Sequence, residues 1–180
     1  MRIAYIGLGA NLRSARGGPE HSLRAAARKL AALGRVAAAS SIYETEPMGR
    51  ADQPLFLNAA LALETLLTPE ELMPRLLAIE REFGRDRSRE LRHGPRILDL
   101  DLLLMDDSVR QTAGLTLPHP ALSGRRFVLA PLAEIAPRFV HPVLGRSIAE
   151  LLDSLPREGE NGPASVRLHH PSAGAMITIV

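Results

Sequence analysis

Apolar and polar positions alternate loosely over residues 2–8, RIAYIGL, and that period of two predicts a β-strand. A Gly/Ser/Arg-rich loop, ANLRSARGGPE, leads from it into an alanine- and leucine-rich stretch whose spacing predicts a helix over about 20–33, with Gly34 ending it. RVAAASSIYETEP and LFLNAALALET then read as two strands of a hairpin, joined by the polar turn MGRADQP with Gly and Pro as punctuation. Thr68 stands where an N-cap belongs, with Pro69 at the first helical position and Glu71 completing a capping box, so PEELMPRLLAIEREFG is a second helix, closed by Gly84. The leucine-rich run ILDLDLLLM is a further strand.

The resulting order is strand, helix, strand, strand, helix, strand. That predicts an α+β fold with the ferredoxin-like βαββαβ antiparallel sheet. Downstream, RRFVLAPLAEIA and a segment of about 146–155 containing SIAELLDSL have helical spacing, and these additional C-terminal helices are expected to pad one side of the sheet. The domain is expected to span 1–155. Residues 156–180 form a Gly/Pro-rich C-terminal extension with two short strand-like pieces, SVRL and MITIV, which fit an edge hairpin and a loose tail equally well.

Composition narrows the chemistry. The 180 residues suit one domain, and no apolar stretch approaches the length needed to span a bilayer. Residues 1–12 run straight into a strand pattern without a signal-peptide cleavage site, so a cytoplasmic, soluble protein with no membrane partner is expected. With no cysteine, a metal must be held by carboxylate, imidazole or carbonyl groups, which favours a hard cation. A net charge of +2 lacks the strongly basic field of a protein that lives on nucleic acid. Association is expected to stop at a monomer or a weak dimer.

The candidate chemistry sits in GPRILDLDLLLMDD. Strand residues two apart lie about 6.6 Å apart on one face, so Asp99 and Asp101 point one way while Leu98, Leu100 and Leu102 point the other. Two adjacent anions on a half-buried face repel and resist desolvation, and they persist where cations neutralise them. Magnesium held by carboxylates plus phosphate oxygens is the natural candidate, set against a solvated strand face with arginine partners. Just upstream, residues 85–96 hold five arginines, Arg85, Arg87, Arg89, Arg92 and Arg96, roughly three times the chain's average density. Guanidinium forks suit phosphate oxygens, so loop and aspartates together point to phosphoryl chemistry. His119, Arg125 and Arg126 offer further donors. Asn58, inside an apolar strand, could pair with a heterocyclic amide edge or with nearby backbone, and Phe56 and Phe127 could stack on a flat ring or fill core.

The segments YIGLGANL, YETEPMGRADQPLFLNAA, GPRILDLDLL, LTLPHP and RRFVLAPLAEIAP resemble the 6-hydroxymethyl-7,8-dihydropterin pyrophosphokinase family over about residues 2–150. The resemblance implies transfer of the pyrophosphoryl group of ATP to the hydroxyl of the pterin, with release of AMP, in folate biosynthesis, ATP serving as co-substrate with two Mg2+ ions. It further implies Asp99 and Asp101 as metal ligands, and Arg85 and Arg96 as loop arginines that act with them in catalysis. Glu80, Arg87, Leu102, His119 and Arg125 fall at ATP-binding positions, and Thr45, Met48, Phe56, Asn58 and Phe127 at pterin-binding positions. The chain departs from many members with His93 before GPR, Glu46 in place of proline and Pro120 after His119.

Two other classes fit parts of the pattern. An RNA-binding ferredoxin-like module predicts exposed aromatics on the central strands, which RIAYIGLG and LFLNAALA lack. A different two-metal nucleotidyl transferase predicts an acidic ligand on the first strand, and RIAYIGLGAN has none.

Overall fold

The computed structural model describes residues 1–15, 17–47, 52–87, 94–156 and 166–169. Strand β1 (Arg2–Ala10) leads to helix α1 (Pro19–Leu30), strands β2 (Arg35–Ala39), β3 (Tyr43–Thr45) and β4 (Phe56–Thr65), helix α2 (Pro69–Glu82) and strand β5 (Asp99–Met105). A small hairpin of β6 (Arg110–Thr112) and β7 (Leu115–Leu117) follows, then a 3-10 turn at Leu122–Gly124, helices α3 (Arg126–Ile135) and α4 (Ile148–Asp153), and strand β8 (Val166–Leu168). The main sheet runs β5-β1-β4-β3-β8, with β2 also paired to β4, and its pairings are antiparallel.

Alternation along the strands divides the core between the two faces of the sheet. Ala4, Ile6, Leu8, Leu98, Leu100 and Leu102 pack with Leu23, Ala26 and Leu30 of α1 and Leu72, Leu76 and Ile79 of α2. On the other face Ala60, Leu103 and Leu104 pack with Leu129 and Leu132 of α3 and Ile148 and Leu151 of α4, and Tyr5 joins them. A bulge opposite Tyr5 and Ile6 inserts Leu103 as an extra residue, so Leu103 and Leu104 both turn toward α3 and α4. Because α3 and α4 cover only the Leu104 end of β5, the Asp99 end of that face is left open.

The two helices of the predicted plan are present, and α2 has its expected caps. Thr68 accepts from Glu71 N at 3.3 Å while the Glu71 carboxylate accepts from Thr68 N at 2.7 Å. Gly84 has φ +91, a left-handed conformation that suits glycine at a helix end. The stretch predicted as one strand over residues 35–47 is instead broken into β2 and β3. At the break Ser40 Oγ accepts the amide of Ala60 at 2.9 Å, a side-chain bond that interrupts the backbone ladder. The helix predicted to reach residue 33 ends at Leu30, because Ala31–Gly34 form a tight turn back to the sheet. Of the two strand-like pieces in the extension, residues 166–168 pair with β3, and MITIV lies outside the described residues.

Gly34 is required by close approach rather than by its dihedral angles. A Cβ there would lie 2.2 Å from the carbonyl oxygen of Glu64 on β4. Backbone cannot yield as a flexible side chain would, so Gly34→Ala is expected to cost roughly 1–3 kcal/mol, read as a lower urea midpoint with unchanged slope.

Candidate active site

The open end of the second face carries a cavity of about 320 Å3, walled by the main sheet, the two ends of the arginine-rich segment and the start of α3. Its floor follows from strand register. Asp99 stands opposite Gly9, and Asp101 opposite Gly7, so the positions beside the two carboxylates carry no side chain. A Cβ on Gly9 would meet Asn58 Oδ1 at 3.1 Å, and one on Gly7 would meet Leu103 Cδ1 at 3.3 Å. The alternating glycines of β1 therefore hold the floor open, a signal present in the sequence and passed over there.

Asp99 is engaged by cations. Arg85 Nη1 donates to Asp99 Oδ1, and Arg96 Nη1 donates to Asp99 Oδ2 at 2.9 Å. The same Arg85 nitrogen donates to Glu80 Oε1 at 2.5 Å and to the Leu98 carbonyl at 3.2 Å. Glu80, 1% exposed on α2, also accepts from the Leu100 amide at 2.8 Å and from Arg87 Nη2 at 2.8 Å. One buried carboxylate thus fixes two arginines and the backbone of β5. Burial alone would raise the pKa of Asp99, but Arg85 and Arg96 outweigh it and hold the carboxyl below its ordinary value.

Asp101 has the opposite environment. No arginine among the described residues is hydrogen-bonded to it, and burial, with the charge of Asp99 adding to it, pushes its pKa up to about 7. A desolvated carboxylate that makes no salt bridge among the described residues, beside a second carboxylate, is a donor set suited to a hard divalent cation. Among the described residues no group of three or more His, Cys, Asp and Glu side chains converges. A metal here would draw its remaining ligands from substrate oxygens and water.

The rest of the wall supplies donors and flat surfaces. Ala121 N donates to His119 Nδ1 at 3.2 Å, which leaves Nε2 to carry the proton of a neutral ring, and burial followed by the charge of Arg125 lowers the pKa of this histidine. Arg125 lies over the Phe127 ring with its guanidinium carbon 5.7 Å from the centroid. Across Gly9 from Asp99, Asn58, 7% exposed, donates from Nδ2 to Thr45 Oγ1 at 2.7 Å. This orients the Asn58 amide, and Phe56 and Phe127 stand nearby on the cavity wall.

Of the residues singled out from sequence, Thr45, Phe56, Asn58, Arg85, Arg87, Arg96, Asp99, Asp101, His119, Arg125 and Phe127 line this one cavity. Glu80 lies behind the wall. Leu102 turns to the opposite core with α1 and α2. Met48, Arg89, Arg92 and His93 lie outside the described residues. The sequence reading missed Asn11, whose Oδ1 accepts from Arg96 N at 2.7 Å and whose Nδ2 donates to the Pro54 carbonyl at 2.9 Å. It ties the end of the arginine-rich segment to the turn before β4. A polar residue ending an apolar strand was its only signal.

Comparison with known proteins gives a consistent match. The sequence profile of 7,8-dihydro-6-hydroxymethylpterin-pyrophosphokinase (HPPK) matches residues 5–137. A 2-amino-4-hydroxy-6-hydroxymethyldihydropteridine pyrophosphokinase of Pseudomonas aeruginosa is 43% identical over 157 residues, covering 86% of this chain and 93% of that protein. The folic acid synthesis protein fol1 of Schizosaccharomyces pombe is 39% identical over 88% of this chain, which spans only 21% of that longer protein. Among solved structures, Plasmodium falciparum HPPK-DHPS shares the fold with a TM-score of 0.64 at 16% identity, over 84% of this chain and 44% of that one.

The electrostatics of Asp101 set a pH dependence. A carboxyl whose folded pKa of about 7 exceeds its unfolded value contributes stability that is present below about pH 4 and lost as pH rises through 7. Asp101→Asn is therefore expected to make the metal-free protein more stable than the parent at pH 8, on the order of 2 kcal/mol, with little difference at pH 4. Urea unfolding at both pH values in chelator checks this.

Proposed function

The chain belongs to the 7,8-dihydro-6-hydroxymethylpterin-pyrophosphokinase family, and we propose that it transfers the pyrophosphoryl group of ATP to the hydroxyl of 6-hydroxymethyl-7,8-dihydropterin in folate biosynthesis. The oxygen of the pterin hydroxymethyl attacks the β-phosphorus, the bond from that phosphorus to the α,β-bridging oxygen breaks, and AMP departs with the bridging oxygen as the hydroxyl gives up its proton. The observation that carries the proposal is one cavity whose wall brings together paired carboxylates, guanidinium groups, an oriented carboxamide and two aromatic rings.

Transfer of this kind asks little covalent chemistry of the protein, so positioning and charge neutralisation do most of the work. Asp99 and Asp101 are suited to hold two magnesium ions, which when bound would neutralise phosphate charge and acidify the attacking hydroxyl. Arg85 and Arg96 lie on Asp99 in the free protein and would meet a phosphate brought there. His119 offers its Nε2–H, and Arg125 and Arg87 their guanidiniums, to phosphate oxygens. Glu80 serves ATP indirectly, by fixing Arg85 and Arg87. With one of its two Nδ2 hydrogens on Thr45, Asn58 presents its carboxamide oxygen and its remaining N–H to the pyrimidinone edge of the pterin, and Phe56 and Phe127 flank the ring. Met48 belongs to the same proposed pterin pocket.

The decisive experiment is release of AMP from ATP by the purified protein with magnesium, expected only when the pterin alcohol is present; AMP formation indifferent to the pterin would refute the assignment. Asp99→Ala and Asp101→Ala should each remain folded and lose about a thousandfold or more in kcat. Arg85→Ala and Arg96→Ala should lower kcat more than they weaken ATP, since donors to the developing charge act on the transition state. Steady-state rates against both substrates separate these effects.

A further inference from the structure

Strand β8 lies beyond the 5–137 span that matches the family, yet it pairs with β3, whose Thr45 lines the cavity. It runs antiparallel to β3, with Val166 opposite Thr45, Arg167 opposite Glu44 and Leu168 opposite Tyr43. His169 continues the pairing, donating its amide to the Ile42 carbonyl at 2.8 Å. Because bonded pairs alternate along an antiparallel ladder, the Arg167 amide is the next donor to β3. The His169 ring adds a polar anchor, with Nε2 3.4 Å from Glu20 of α1 and Nδ1 3.9 Å from Glu44 of β3.

What β8 covers is the exposed edge of a strand three residues long. Its start is anchored from α3, where Glu134 accepts from Ser41 N at 3.0 Å and from the Tyr43 hydroxyl at 3.0 Å. Its end, Thr45, is the residue that orients Asn58, and it stands opposite Phe56 at the start of β4. Without β8 that end would pair on one side only. A short, half-paired strand is a poor platform for a side chain that must hold an amide in one orientation.

We infer that the segment 166–169 is a positioning element for the pterin: by adding a strand to β3 it fixes Thr45, and through Thr45 the Asn58 amide. This rests on the pterin reading of Asn58 given above. It assigns to the C-terminal extension a role in substrate recognition that the matched family span does not contain, and it predicts an effect confined to one of the two substrates.

The test replaces the two ladder donors with proline in the intact chain, Arg167→Pro with His169→Pro, and compares it with the Arg167→Ala/His169→Ala pair, which keeps both amides. Edge strands tolerate proline without loss of the fold, and each proline is examined singly where the pair does not fold. KM for the pterin should rise about fivefold or more in the proline variant, with kcat and the KM for ATP within about twofold of the parent. Amide exchange at Tyr43–Thr45 should quicken in the same variant. The alanine pair, which keeps both amides and loses the His169 ring contacts, should show less than half of that rise in the pterin KM. An unchanged pterin KM despite faster exchange, or an equal rise in the alanine pair, would overturn the inference while leaving the catalytic reading intact. A parent protein that releases no AMP with the pterin would overturn both.

Discussion

Two carboxylates one residue apart on the same face of a strand repel each other wherever water is scarce, and the architecture around β5 answers that repulsion. In the free protein the answer is uneven. Asp99 takes Arg85 and Arg96 and stays ionised, whereas Asp101 takes neither and is raised toward neutrality. The uneven division leaves one carboxylate whose charged form burial and its neighbour disfavour. It also makes the arginines and any bound metal alternatives at Asp99 Oδ1 and Oδ2.

Glu80 gives this arrangement its rigidity. A nearly fully buried carboxylate is costly unless several donors meet it, and Glu80 meets the Leu100 amide, Arg85 and Arg87. Its removal would leave Arg85 buried without its Glu80 contact, so one change on α2 would disturb both the carboxylates on β5 and the guanidiniums facing them. Asn11 plays the matching part on the other side, bonded to both the Arg96 backbone and the Pro54 carbonyl. The cation-rich segment and the turn before β4 are therefore tied through a single side chain, so movement of one is transmitted to the other.

The sequence made the element order legible because α2 announced both its ends and β5 its faces. Thr68, Pro69 and Glu71 mark a cap that depends on local geometry alone, and the leucines flanking Asp99 and Asp101 fix which way the carboxylates point. What escaped was whatever depended on a distant partner. The break at Ser40 requires the Ala60 amide, the shortened α1 requires the carbonyl of Glu64 against Gly34, and the place of Glu80 behind the cavity requires the Arg85 side chain. Leu102 shows the same limit at the site, since its side chain obeys strand alternation and faces the core opposite the cavity.

The floor of the cavity adds a constraint that local propensity opposes. Glycine weakens a strand interior, and β1 places Gly7 and Gly9 on the one face where side chains would otherwise pack. The loss is tolerated because β1 is central, paired along its length with β4 on one side and β5 on the other. Only a central strand could be emptied in this way without fraying, and only the strand next to β5 would open space beside both carboxylates. The position of β1 in the sheet order and the emptiness above Asp99 and Asp101 are therefore one structural decision.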